Sequence, residues 1–160
     1  MSYKHSLIHI EEELPGAKAW AARHDLPMDW LPDSLVVRVT LAQRETKEEF
    51  YLQGKFDNYR AIAPAWTFTD RLWTAEPAVN LFPRPAAMPG GKSSIFHTKP
   101  AICAPFNRLA YSVFKGPHSD WGGPENWLTA GQPNEVKAFF IGDMLSVIYQ
   151  HFSVTAGRMG

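Results

Sequence analysis

The sequence predicts an α+β domain, an antiparallel β-meander with flanking helices, on three observations. Stretches rich in β-branched and aromatic residues follow one another between residues 34 and 70 with only short polar connections. Both ends of the chain show helical spacing instead. A chain of 160 residues, 45% hydrophobic and 20% charged, holds enough apolar mass for one ordinary core. The expectation is therefore one domain over 1–160, with a divergent helical segment at 1–33 and the core at 34–152.

At the amino terminus, Leu7, Ile10 and Leu14 share one helical face, and Pro15-Gly16 is expected to end that helix. Ala17, Trp20, Ala21 and His24 recur at helical spacing, so a second short helix is expected before Pro27 and Pro32 break the pattern. Ser34 to Ala42 then reads as a strand in which Val37, Val39 and Leu41 alternate with Arg38 and Thr40. Gln43 to Lys47 is a polar connection. Phe50 to Phe56 resumes the extended pattern, and Ala65 to Asp70 is a third strand with Trp66 and Phe68 on one face. Val79 to Phe82 is the best candidate for a fourth. From Pro77 to Pro124 fall 8 of the 13 prolines and 5 of the 11 glycines, so long regular elements are not expected there. So long an irregular stretch in a small domain is characteristically a functional surface. The last helix is expected to start at Pro133-Asn134 and to present Val136, Phe140, Met144, Val147, Ile148 and Phe152 as its apolar face.

Composition narrows the function. Sixteen basic against sixteen acidic side chains argue against binding driven by nucleic-acid phosphates. No apolar run approaches the roughly 20 residues of a membrane span, and the first residues lack the apolar core of a secretory signal. A cytoplasmic protein is expected, without nucleic-acid or membrane partners. The charge is uneven: between Glu76 and Asp120 there is no acid, only Arg84, Lys92, Lys99, Arg108 and Lys115.

Cys103, the one cysteine, lies in that basic stretch. With Ile102, Ala104 and Pro105 around it, it reads as a core residue, a reactive thiol or an incidental one. Positive surroundings favour the thiolate, and a Pro- and Gly-rich loop favours exposure. Of the six histidines, His5 and His9 sit four apart and read as solvated surface residues. His118 and Asp120 read as loop ligands or turn residues. There is no Gly-x-Ser-x-Gly, phosphate-cradling glycine loop or His-Glu-x-x-His. The tryptophans at 66, 73, 121 and 127 read as packing.

Residues 50–70 carry a further signal. There a strand, Tyr59, Pro64 and the extended Trp66 to Phe68 follow in order, and His97, Cys103, Trp121, Trp127 and an amphipathic helix come after. This order resembles the ubiquitin-conjugating enzymes, as a divergent, bacterial-type member, over roughly 34–152. The chain departs from that family in having His97-Thr98-Lys99-Pro100 in place of His-Pro-Asn, a shorter histidine-to-cysteine spacing, Arg60 where a proline follows the tyrosine, and two proline breaks near the amino terminus.

The resemblance implies that Cys103 accepts a ubiquitin-like modifier as a thioester from an activating enzyme and transfers it to an amine, such as a lysine of a protein substrate. It implies no metal and no organic cofactor. His97 corresponds to the family histidine, which is mainly structural. Asn107, the nearest amide side chain after the cysteine, is the candidate oxyanion donor by chemistry alone, and Asp120 or His118 would hold or deprotonate the incoming amine. The alternative is a catalytically inactive scaffold of the same fold that binds a modifier or an activating enzyme. A metal-dependent hydrolase using His97, His118 and Asp120 ranks third.

Overall fold

Alternation of apolar and polar side chains between residues 36 and 69 produces the sheet. A computed structural model describes residues 3–113, 119–131 and 136–160. In it β1 (Met28–Leu31), β2 (Val36–Ala42), β3 (Glu49–Lys55) and β4 (Ala65–Thr69) form a four-stranded antiparallel meander in chain order. Val37 lies opposite Gly54 and Gly54 opposite Trp66, while Val39, Leu52 and Phe68 make the next row. These side chains form the buried face; Arg38, Thr40, Tyr51 and Thr67 lie on the other, where Arg38 bonds Gln53 and sits over the Trp73 ring. Gly54 is required by packing. A Cβ there would stand 2.7 Å from the Trp66 indole and 2.9 Å from Phe56.

The fourth strand is β1, not the expected Val79 to Phe82. Pro27 and Pro32 bracket β1 and leave its ladder intact, because an edge strand tolerates a missing N–H and the Pro27 carbonyl accepts the Thr40 N–H at 3.1 Å. Val79–Leu81 is instead one 3-10 turn that delivers Phe82 into the core against Phe68.

The amino terminus corrects the sequence reading again. One helix, α1, runs unbroken over Tyr3–Arg23, through Pro15 and Gly16. A proline inside a helix costs about 3 kcal/mol. Ile10, Leu14, Ala17, Trp20 and Ala21 are buried along one face, and large apolar side chains return roughly 1.5–3 kcal/mol each on burial, so tertiary packing outweighs the break. The break expected at Pro15-Gly16 is therefore absent, whereas the helix does end before Pro27, and α1 leads by a short turn into β1.

The remaining elements are β5 (Phe96–His97) and β6 (Ala101–Ile102), which pair as a small hairpin, α2 (Arg108–Val113) and α3 (Ile141–Ser153). The expected helix start at Pro133-Asn134 lies outside the described residues, and residues 136–140 are not helical. Phe140 is consequently exposed rather than on the apolar face, which consists of Ile141, Met144, Leu145, Ile148, His151 and Phe152. α3 lies on the sheet through Phe152 against Phe50 and Phe68, and through Met144, whose sulfur accepts the Trp66 indole N–H at 3.4 Å. α1 packs on α3, and the two close at Gly142, where a Cβ would be in contact with the Gly16 backbone at 3.6 Å. One continuous core joins α1, the inner sheet face, α3 and the buried part of the 95–106 segment.

The carboxy-terminal residues return to the end of the β2–β3 pair and to the Phe82 segment. Gln43, buried, bonds the Thr155 hydroxyl and the Gly157 N–H, and Met159 N–H donates to the Phe82 carbonyl. Among the described residues no helix is long and apolar enough to cross a membrane.

Candidate functional site

The hairpin determines where the cysteine sits. His97 lies opposite Ala101 and Phe96 opposite Ile102, and the Cys103 N–H donates to the Ile95 carbonyl at 2.7 Å, which extends the ladder by one pair. The fully buried Phe96 and Ile102 anchor the hairpin in the main core. Cys103 is only half-buried. It packs with Tyr111 at the margin of a second, smaller cluster made by Ala101, Ala110, Trp121 and Ala130. The Tyr111 and Trp121 rings meet at 5.2 Å, and the Tyr111 hydroxyl donates to the Pro105 carbonyl at 2.6 Å.

The fold brings some of the sequence candidates to this place. Trp121 shares the cysteine's cluster, so the 3-10 turn Ser119–Trp121 brings the exposed Asp120 to the same region. His97 ends β5, half-buried. His118 lies outside the described residues. Among those described, no group of three His, Cys, Asp or Glu side chains is placed to hold a metal ion.

Asn107 has a different role from the one its chemistry suggested. It is fully buried, and its Nδ2 donates to the Trp66 carbonyl at 3.0 Å and the Ile102 carbonyl at 2.8 Å. Its Oδ1 accepts the Trp66 N–H at 2.8 Å and the Leu109 N–H at 3.3 Å. The last of these is an N-cap bond, because Leu109 is the second residue of α2. Both amide hydrogens are thus committed to main-chain carbonyls, leaving none for an oxyanion. Asn107 instead ties β4, β6 and α2 together and fixes the backbone on which Cys103 lies.

Two groups that no local motif marked also support the site. His151, buried on α3, accepts the Ile95 N–H on Nδ1 at 3.3 Å, which places the ring proton on Nε2. Its basicity is held below the ordinary histidine range, first by burial and then by the nearby Lys92 ammonium. The second group is Glu13. Its carboxylate accepts the Tyr59 hydroxyl at 2.6 Å, the Arg60 guanidinium at 3.0 Å and the Ile141 N–H at 2.9 Å. Burial, and then the Glu13 charge, push the Tyr59 phenol well above its usual range, so it stays a donor.

Arg60 adopts φ +71°, a conformation closed to proline, whose ring holds φ near about −65°. Its guanidinium lies 5.3 to 5.7 Å from the Tyr59, Trp127 and Phe140 rings, and its carbonyl accepts the Trp127 indole N–H at 3.2 Å. This ties the 121–130 segment to α1 and the start of α3. Beside it a groove of about 630 Å³ runs between α1 and α3, bordered by His9, Trp20, Arg23 and Asp143. Of the basic residues near the cysteine, Arg108 is paired with Asp57 at 2.6 Å.

Comparison with protein-family models, curated proteins and solved structures finds no match to this chain.

Proposed function

We propose that the protein is a ubiquitin-like-protein conjugating enzyme of UBC-like fold that carries its modifier on Cys103. The observation that supports this reading is an order of elements: helix, four-stranded antiparallel meander, irregular segment with a half-buried cysteine at the end of a small hairpin, and carboxy-terminal helix. In the first step the Cys103 thiolate attacks the carbonyl of a modifier held as a thioester on an activating enzyme, and that enzyme's thiolate leaves. In the second, the lone pair of an acceptor amine attacks the new thioester. The Cys103 thiolate departs, and the amine's surplus proton passes to water or to a nearby base such as Asp120.

Incubation with an activating enzyme, modifier and nucleotide tests the reading. It requires an adduct that reductant removes from the wild type, that becomes reductant-resistant in Cys103→Ser and that is lost in Cys103→Ala. An adduct surviving Cys103→Ala excludes this thiol as the carrier.

One observation favours a second reading, a catalytically inactive scaffold of the same fold that binds a modifier or activating enzyme. Asn107 has no hydrogen to give an oxyanion. That scaffold binds its partner equally well as wild type and as Cys103→Ala, and its native thiol alkylates slowly.

A further inference from the structure

We propose that His151 is a positioning residue for the Cys103 thiol, acting through the two strands of the hairpin by two consecutive hydrogen bonds, one from the Ile95 N–H to its imidazole and one between main-chain groups. This inference rests on the reading of Cys103 as the acyl carrier.

The two bonds share one residue. His151 Nδ1 accepts the Ile95 N–H at 3.3 Å, and the Ile95 carbonyl accepts the Cys103 N–H at 2.7 Å. Ile95 precedes β5, and among the described residues it is this imidazole that accepts its N–H. The same element carries the Phe96 ring against the imidazole, with ring centroids 6.4 Å apart. His151 itself is rigidly placed, on a helix buried against the sheet. The Ile102–Cys103 peptide beside the half-buried thiol is therefore held at two points, its carbonyl by Asn107 and its N–H, through Ile95, by a side chain on α3.

Only the neutral ring can do this. Protonation puts a hydrogen on Nδ1, so two donors then face each other at Ile95 and the first bond is lost. Lys92, following the 3-10 turn Pro89–Gly91, is the charged group that acts on the ring, and β5 presents the uncharged Phe96. Burial and the Lys92 ammonium both disfavour an imidazolium. Acidification is then relieved by displacement of the hairpin edge, which carries Cys103 with it.

Amide chemical shifts followed against pH test the coupling directly in the wild-type protein. The Ile95 and Cys103 N–H resonances are expected to titrate together, with a midpoint below the ordinary histidine range. In His151→Asn, whose side-chain oxygen replaces Nδ1 as acceptor without titrating, both are expected to be flat. Iodoacetamide alkylation of Cys103 supplies the second readout. At neutral pH His151→Leu is expected to change the rate by roughly threefold or more, and His151→Asn to restore it. An Ile95 resonance that titrates while Cys103 does not overturns the inference, and so does wild-type alkylation in His151→Leu. Neither measurement uses a modifier, so co-titrating amides in a protein that forms no thioester would leave the coupling intact and remove the conjugation reading alone.

Discussion

Glu13, on the first helix, caps the last one: its Oε1 accepts the N–H of Ile141, the first residue of α3, at 2.9 Å. Phe140, at the N-cap position, offers no side-chain acceptor. A carboxylate 128 residues away in sequence therefore does the work that serine or aspartate usually does locally, and adds a negative charge at the positive end of the helix dipole. This explains why α3 starts at Ile141 and why an earlier start was expected from the sequence.

Glu13 also holds the Tyr59 hydroxyl and the Arg60 guanidinium, and its side chain is 8% exposed. Removing one partner of a buried charged network leaves the others unpaired, which costs about 3–5 kcal/mol. Glu13→Ala is expected to lose stability on that scale in urea denaturation. Glu13→Gln is expected to lose less, since an amide oxygen still accepts one donor. A Glu13→Ala protein as stable as the wild type would show that the network adds nothing to the fold.

Gly54 tests the sheet packing. A methyl group there meets the fixed edge of the Trp66 indole at 2.7 Å, and neither β4 nor the ring can yield without disturbing Met144 and Phe56. Overpacking of this kind costs about 1–3 kcal/mol, so Gly54→Ala is expected to lower the denaturation midpoint by that amount. An unchanged midpoint would mean the indole has room to move.

What the sequence revealed of the fold follows from the range of the forces involved. Strands β2, β3 and β4 were legible because alternation over Val37–Leu41 and Trp66–Phe68 is a local pattern. The continuity of α1 was not, because Pro15 is a strong local signal and the burial of Ile10, Leu14 and Trp20 that overrides it is tertiary. β1 was hidden by two prolines that an edge position tolerates. Cys103 stands out in the sequence by charge and loop composition, but its half-buried place at the end of a hairpin is set by tertiary pairing. His151 could not, since a histidine in an amphipathic helix looks the same whether it faces solvent or the Ile95 N–H. Asn107 was found for the wrong role: proximity in sequence to the thiol suggested a donor, while the fold directs its hydrogens to Trp66 and Ile102.

Asn107→Ala removes four hydrogen bonds at once and leaves the Trp66 and Ile102 main-chain groups buried without their partners. Each unsatisfied group costs about 1–3 kcal/mol, so the variant is expected to lose at least roughly 3 kcal/mol. Asn107→Asp keeps the acceptor but loses both donors, and is expected to be nearly as unstable. The measurement that separates a brace from an oxyanion donor is thioester formation per folded molecule. A brace lowers the folded fraction at a temperature near unfolding, whereas a donor lowers the rate in fully folded protein.

The buried imidazole makes stability depend on pH in a defined direction. His151 binds its proton less readily in the folded protein than at its ordinary value of 6.5, because burial and Lys92 both disfavour the cation. Between those two values the unfolded chain carries more protons, so stability is complete above 6.5 and is lost as pH falls from 6.5 to the folded value. Across that window the loss approaches about 1.4 kcal/mol per pH unit, and below the folded value it stops growing. Other histidines and the carboxylates titrate nearby, so the relevant quantity is the difference between wild type and His151→Asn in urea denaturation at successive pH values. The two are expected to run parallel above 6.5 and to diverge below it, the wild type losing more. Parallel curves throughout would show that His151 is as easily protonated in the fold as in the open chain, and that burial and Lys92 do not hold it neutral.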